Sequence, residues 1–70
     1  MEIKPGIYEH YKGKRYKVIG VALQTESEEK LVVYEALYGE GGLFARPLEM
    51  FLEDVEIGGK KVPRFKLVNA

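Results

Sequence analysis

Apolar and polar residues alternate along most of this chain, and glycine or proline stands where the alternation stops. Pro5-Gly6 precedes Ile7 to Tyr11 (IYEHY), rich in the aromatic and β-branched types that suit a half-buried pleated surface. Lys12-Gly13-Lys14 is the turn that follows, and Arg15 to Gln24 (RYKVIGVALQ) pairs back. In that second strand Tyr16, Val18, Gly20 and Ala22 share one face, while Lys17, Ile19, Val21 and Leu23 share the other. Lys17 marks the second face as solvent, yet Ile19 and Val21 are apolar. A bulge or bend at Gly20 resolves the conflict by letting the strand change the side it buries.

Thr25 to Lys30 (TESEEK) is a polar reversal, too short for a stable helix although Thr25 and Glu28 have capping-box spacing. Leu31 to Tyr38 is the longest β-favouring run; Glu35 faces water, which turns Tyr34, Ala36 and Tyr38 inward. Gly39, Gly41 and Gly42 connect to a fourth strand, Leu43 to Arg46. One helical turn follows over Pro47–Leu52: Pro47 suits the first helical position, Glu49 suits the dipole, and Leu48, Phe51 and Leu52 share a face. Val55-Glu56-Ile57 resumes the alternation. Gly58-Gly59 is a two-residue hairpin turn, and Lys60 to Val68 is a last strand confined by Pro63 to an edge or bulge.

Five to six short strands, tight glycine turns and one helical turn predict an all-β fold. The architecture is a small SH3-like barrel or β-roll, with an OB-like barrel as runner-up. The 70 residues make a single domain, 1–70, too small for a second core around a cofactor. Without cysteine, packing alone must hold it together. No apolar run of about 18 residues is present to span a membrane, and Met1 to Gly6 is too polar for a signal peptide. A cytoplasmic monomer or weak oligomer, without cofactor, is therefore expected.

Eleven acids balance eleven bases, but the signs are segregated. Lys4 to Lys17 carries five bases against Glu9, Glu26 to Glu56 carries nine acids against Lys30 and Arg46, and Lys60 to Lys66 carries four bases and no acid. Global neutrality argues against binding nucleic acid by charge alone. If the two basic ends meet, Lys12, Lys14, Arg15, Lys60, Lys61 and Arg64 form a basic rim.

The series Gly6-x-Tyr8-x-His10-Tyr11-Lys12-Gly13-x-x-Tyr16, Thr25-Glu26, Val33-Tyr34-x-x-Leu37-Tyr38, Arg46-Pro47-x-x-Met50-Phe51 and Pro63-Arg64-Phe65 resembles a bacterial domain-of-unknown-function family, number sixteen fifty-three. The resemblance covers nearly the whole chain and implies one SH3-like barrel with no established activity. Gln24 stands where that family more usually has histidine, and Phe44 where it has tryptophan.

Catalytic chemistry has little to draw on. His10 is the single histidine, and with no cysteine only carboxylates remain to complete a metal site, so neither a metal nor a catalytic residue is assigned. Glu26, Glu28 and Glu29 lack the spacing and glycine of an EF-hand loop. The glycines at 39, 41 and 42 precede a strand with no Gly-Lys-Ser/Thr, unlike a phosphate loop. Arg46 and Arg64 adjoin prolines and aromatics, and the planar guanidinium suits a carboxylate or phosphate. Internal salt bridges to Glu35, Glu49 or Glu53 are the competing role for both. Tyr16 and Tyr34 are expected in the core, and Tyr8, Tyr11 and Tyr38 on a surface platform. The expectation is thus a non-enzymatic module gripping a peptide or protein segment through Tyr8, His10, Tyr38, Phe44, Arg46 and Arg64. A basic rim for single-stranded RNA or DNA is the alternative.

Overall fold

In a computed structural model that describes residues 3–69, the strands are β1 (Gly6–His10), β2 (Arg15–Leu23), β3 (Lys30–Ala36), β4 (Leu43–Pro47), β5 (Asp54–Ile57), β6 (Lys60–Pro63) and β7 (Phe65–Asn69), with one helical turn, α1 (Leu48–Phe51). Met1 and Glu2, read above as too polar for a leader, and Ala70 lie outside the described residues. Five strands form one antiparallel sheet in the order β4-β3-β2-β1-β7, and β5-β6 is a separate hairpin. The fold is thus all-β and roll-like, as expected. The single 60–68 strand is corrected, however: it breaks at Arg64 into β6 and β7, which lie in different sheets. Pro63 has no amide to donate, and the Arg64 N–H is taken by the Glu53 carbonyl at 3.0 Å.

The bulge in β2 lies where the alternation required it. Val18 pairs with Tyr34 and Gly20 with Val33, so Ile19 is the extra residue. Beyond it Val21 faces Val32, so the register passes from even to odd numbers, but the strand buries neither side there: Ile19, Val21 and Leu23 all stay exposed. Gly58 and Gly59 make the β5–β6 turn with φ of 58° and 82°, the left-handed pair that a type I′ hairpin needs.

Directly opposed residues in an antiparallel sheet share a face. The register therefore puts Tyr8, His10, Tyr16, Val18, Val32, Tyr34, Ala36, Phe44, Arg46, Phe65 and Leu67 on one inner face. The helix begins one residue later than expected, with Pro47 at the N-cap (φ −51°, ψ 136°) and not the first helical residue, and the turn folds back onto β3 and β4. It drives Leu48 and Phe51 onto that inner face, while Leu52 stays partly exposed. Phe51 stacks flat on Phe65 at 4.1 Å and meets Tyr8 edge-on at 5.5 Å. Tyr8, Val18, Val32, Tyr34, Leu48, Phe51 and Phe65 form the buried core. Fully burying each such side chain is worth roughly 1.5–3 kcal/mol. The helical turn covers only part of the face. The rest carries the candidate site.

Candidate functional site

Phe44 and Arg46 sit two apart on β4, so both point inward, opposite Tyr34 and Val32. The Phe44 ring stacks on Tyr34 at 5.8 Å, yet Phe44 remains 46% exposed. Tyr16 lies edge-on to Tyr34 at 5.2 Å, to Tyr38 at 5.5 Å and to Phe65 at 5.7 Å, so it sits at the middle of the ring cluster. The Tyr16 and Tyr38 hydroxyls share a 2.7 Å hydrogen bond. Burial, followed by that bond, pushes the Tyr16 phenol up to about 12, so it stays protonated at any physiological pH. Tyr38, turned inward by the alternation but also expected on a surface platform, lies just past β3 and is 40% exposed.

Arg46 is held by aromatics rather than by an acid. Its Nε donates to the Tyr34 hydroxyl at 3.3 Å, and its guanidinium carbon lies 5.7 Å from the Phe65 ring centre. Among the described residues no carboxylate is within 4.0 Å of it. Arg64 differs: its Nη2 donates to Glu53 Oε1 at 3.0 Å, and its Nε is buried without a partner. The internal salt bridge weighed for both arginines is therefore present at Arg64 and not at Arg46.

His10 pairs with Phe65 across β1–β7 and meets its ring edge-on at 5.0 Å. Its Nδ1 accepts the Lys12 N–H at 3.2 Å, which leaves a neutral ring its proton on Nε2. Burial lowers its pKa, and Arg46, Arg64 and Lys12 lower it further. At neutral pH it is an uncharged, positioned ring.

Tyr8, expected on a surface platform, is in the core at 6% exposure, and its hydroxyl donates to the Lys4 carbonyl at 2.7 Å. That expectation is corrected: β1 runs between β2 and β7, and its central residue lies beneath Phe51. Tyr11 is at the surface, tilted against His10 at 4.4 Å. Tyr38 and Phe44 meet Tyr16 edge-on, and Phe65 joins Tyr16 to His10 and to Arg46. Sequence reasoning missed Tyr16 as a member. Its signal was its place opposite Ala36 on the inward face, beyond the reach of a single helical turn.

The basic rim is assembled only in part. First and last strands do pair, β1 with β7, and a pocket of about 450 Å³ between β1 and the β5–β6 hairpin is lined by His10, Tyr11, Lys60 and Lys66 among others. But Arg15 donates to Glu9 Oε1 at 3.0 Å, Arg64 is tied to Glu53, Lys61 lies opposite Glu56, and Glu9 lines the same pocket. Lys14 turns the other way, its Nζ 4.6 Å from the Tyr38 ring centre, and Lys12 lies 5.8 Å from that of Tyr11. Among the described residues no three His, Asp or Glu side chains gather to hold a metal. No helix among them is long and apolar enough to cross a membrane.

The profile of the family described as "protein of unknown function (DUF1653)" matches residues 6–67. The chain belongs to this family. A crystal structure of a DUF1653 protein from Bordetella bronchiseptica is 40% identical, with a TM-score of 0.87 over 94% of this chain and 87% of that one. No curated protein matches the chain. Of the two positions that the resemblance above set apart, Gln24 lies in the exposed β2–β3 turn, where its Oε1 accepts the Glu26 N–H at 3.3 Å. Phe44 lies in the ring cluster, so only the second bears on the site.

Proposed function

We propose that this DUF1653 domain is a binding module rather than an enzyme, and that it grips a peptide or protein segment on the uncovered half of its inner sheet face. Arg46 carries this reading: a guanidinium held between Tyr34 and Phe65, free of any acid within 4.0 Å among the described residues, two residues along β4 from the exposed ring of Phe44. Aromatic rings with a planar fork of donors are the elements from which peptide grooves are built. The imidazole of His10, uncharged and already accepting the Lys12 amide, adds a polar contact. The ion pairs of Arg15 with Glu9 and of Arg64 with Glu53 favour the aromatic site over the basic rim for nucleic acid.

Panning a random peptide library against the domain tests this. The expected result is a set of peptides whose affinity collapses in Phe44→Ala and changes little between 50 and 300 mM salt (order-of-magnitude range). Single-stranded RNA that binds at about 50 mM salt, with a steep salt slope lost in Lys60→Glu/Lys61→Glu, would instead establish the basic rim.

A further inference from the structure

β4 is an edge strand: β3 pairs with one side of it, and among the described residues no strand pairs with the other. Natural sheets protect such edges with charge, proline or short length. The opposite edge, β7, carries Lys66 at an exposed position. β4 presents Leu43, Phe44 and Ala45, all exposed, and reaches proline only at its last residue. Its one charge is Arg46, and that charge points onto the inner face.

A strand added along this edge would place its residues opposite Leu43 to Pro47, alternating between the two faces. The residue opposite Arg46 and the one opposite Phe44 would both point inward, with one residue between them pointing out. Building on the peptide-binding reading above, we propose that β4 receives an extended antiparallel segment of the pattern acid-x-aromatic, its carboxylate opposite Arg46 and its ring opposite Phe44. The order is fixed by direction: an antiparallel partner meets Arg46 first and Phe44 second, and every pairing among the described residues is antiparallel.

Charge complementarity selects the occupant. Among the described residues no carboxylate comes within 4.0 Å of the Arg46 guanidinium, although Glu28, Glu29 and Glu49 gather around the neighbouring Pro47. A carboxylate meeting an aromatic-held guanidinium makes a charge-assisted bond of the stronger class. A second copy of this chain, joined edge to edge, would bring Leu43-Phe44-Ala45-Arg46-Pro47 itself, which offers no acid to Arg46.

The test uses four capped seven-residue peptides, so that no terminal carboxylate competes: Ser-Thr-Glu-Thr-Phe-Thr-Lys, its Glu→Gln form, its Glu→Lys form, and the reversed order. Binding is followed by calorimetry and by amide shifts of the isotope-labelled domain. The Glu peptide is expected to shift the amides of Leu43 to Arg46, and to bind about tenfold tighter than the Gln or the reversed peptide. Arg46→Gln should erase the difference between Glu and Gln peptides, and Arg46→Glu should transfer the preference to the Lys peptide. Circular dichroism of each variant checks the fold, and the Arg46→Gln comparison stands by itself if Arg46→Glu does not fold. Equal binding of the Glu and Gln peptides, with shifts at Tyr16, Tyr38 and Phe44, overturns the acid preference and leaves the peptide-binding reading intact. No shift from any peptide at about 1 mM, the range of the weakest specific contacts, overturns the inference, while library panning decides the broader reading separately. A dimer in sedimentation with the β4 amides protected in the absence of peptide makes a second copy the occupant and also overturns it.

Discussion

The two halves of the inner sheet face are built from the same materials and do opposite things with them. One half holds Tyr8, Val18, Val32, Leu48 and Phe51, closed by a helical turn of four residues. The other holds Tyr16, Tyr38, Phe44, Arg46 and His10, and nothing among the described residues closes it. Tyr34 and Phe65 belong to both, since each touches Phe51 on one side and Tyr16 on the other. Aromatic content alone therefore does not separate core from site in this domain. What separates them is the reach of α1, and the placement of an arginine where the core would have put a leucine.

The largest effect is expected in the covered half. Phe51→Ala removes the ring that stacks on Phe65 and lies over Tyr8, so it should cost about 3–5 kcal/mol. A domain this small has stability near the lower end of about 5–15 kcal/mol, and the variant should be largely unfolded. Denaturant titration measures it. A midpoint close to wild type would mean that α1 does not close the core.

How far was this division legible in the sequence? An irregularity in β2 was, because Lys17 and its apolar neighbours conflict on one face and a bulge or bend near Gly20 resolves it; the bulge is the form it took. The hairpin at Gly58-Gly59 and the helical turn after Arg46 were legible for similar reasons: each rests on a residue with a restricted or privileged backbone. The assignment of Tyr8 was not. Alternation places Tyr8 and His10 on one face but is silent on how far along that face a distant helical turn extends. The break at Arg64 depends on the Glu53 carbonyl and carboxylate, eleven residues away, and no local pattern encodes such a partner. The same non-local choice separated Arg64, which found an acid, from Arg46, which did not.

Phe44→Ala sharpens the contrast from the other side. The ring is nearly half exposed and stacks on Tyr34 from the solvent side, so its removal should cost about 1 kcal/mol, well below the core value. Arg46→Met should cost about as little or less, because no carboxylate among the described residues is left unpaired when the guanidinium goes. Both variants should lose peptide binding while keeping a cooperative melt. A loss of several kcal/mol in either would place that residue in the structural half and erase the distinction.

The smallest effect is a pH dependence, and His10 makes it readable because the chain has no other imidazole. Burial and the charges of Arg46, Arg64 and Lys12 depress its pKa in the folded state. As pH falls below about 6.5, the ordinary histidine value, the unfolded chain takes up a proton before the folded one does. Stability should therefore decline as pH falls from there, and the contribution should level off once the folded ring is also protonated. His10→Gln should flatten that part of the curve, and the difference between the two proteins isolates the histidine from the carboxylates. The imidazole resonances report the same equilibrium directly. If an acidic segment docks beside Arg46, its carboxylate offsets part of the cationic field at the ring, and the His10 pKa should rise when the Glu peptide is added. It should move less with the Gln peptide. A His10 pKa that is ordinary in the free domain, or indifferent to a bound carboxylate, would separate the histidine from the arginine face and narrow the site to Tyr16, Tyr38, Phe44 and Arg46.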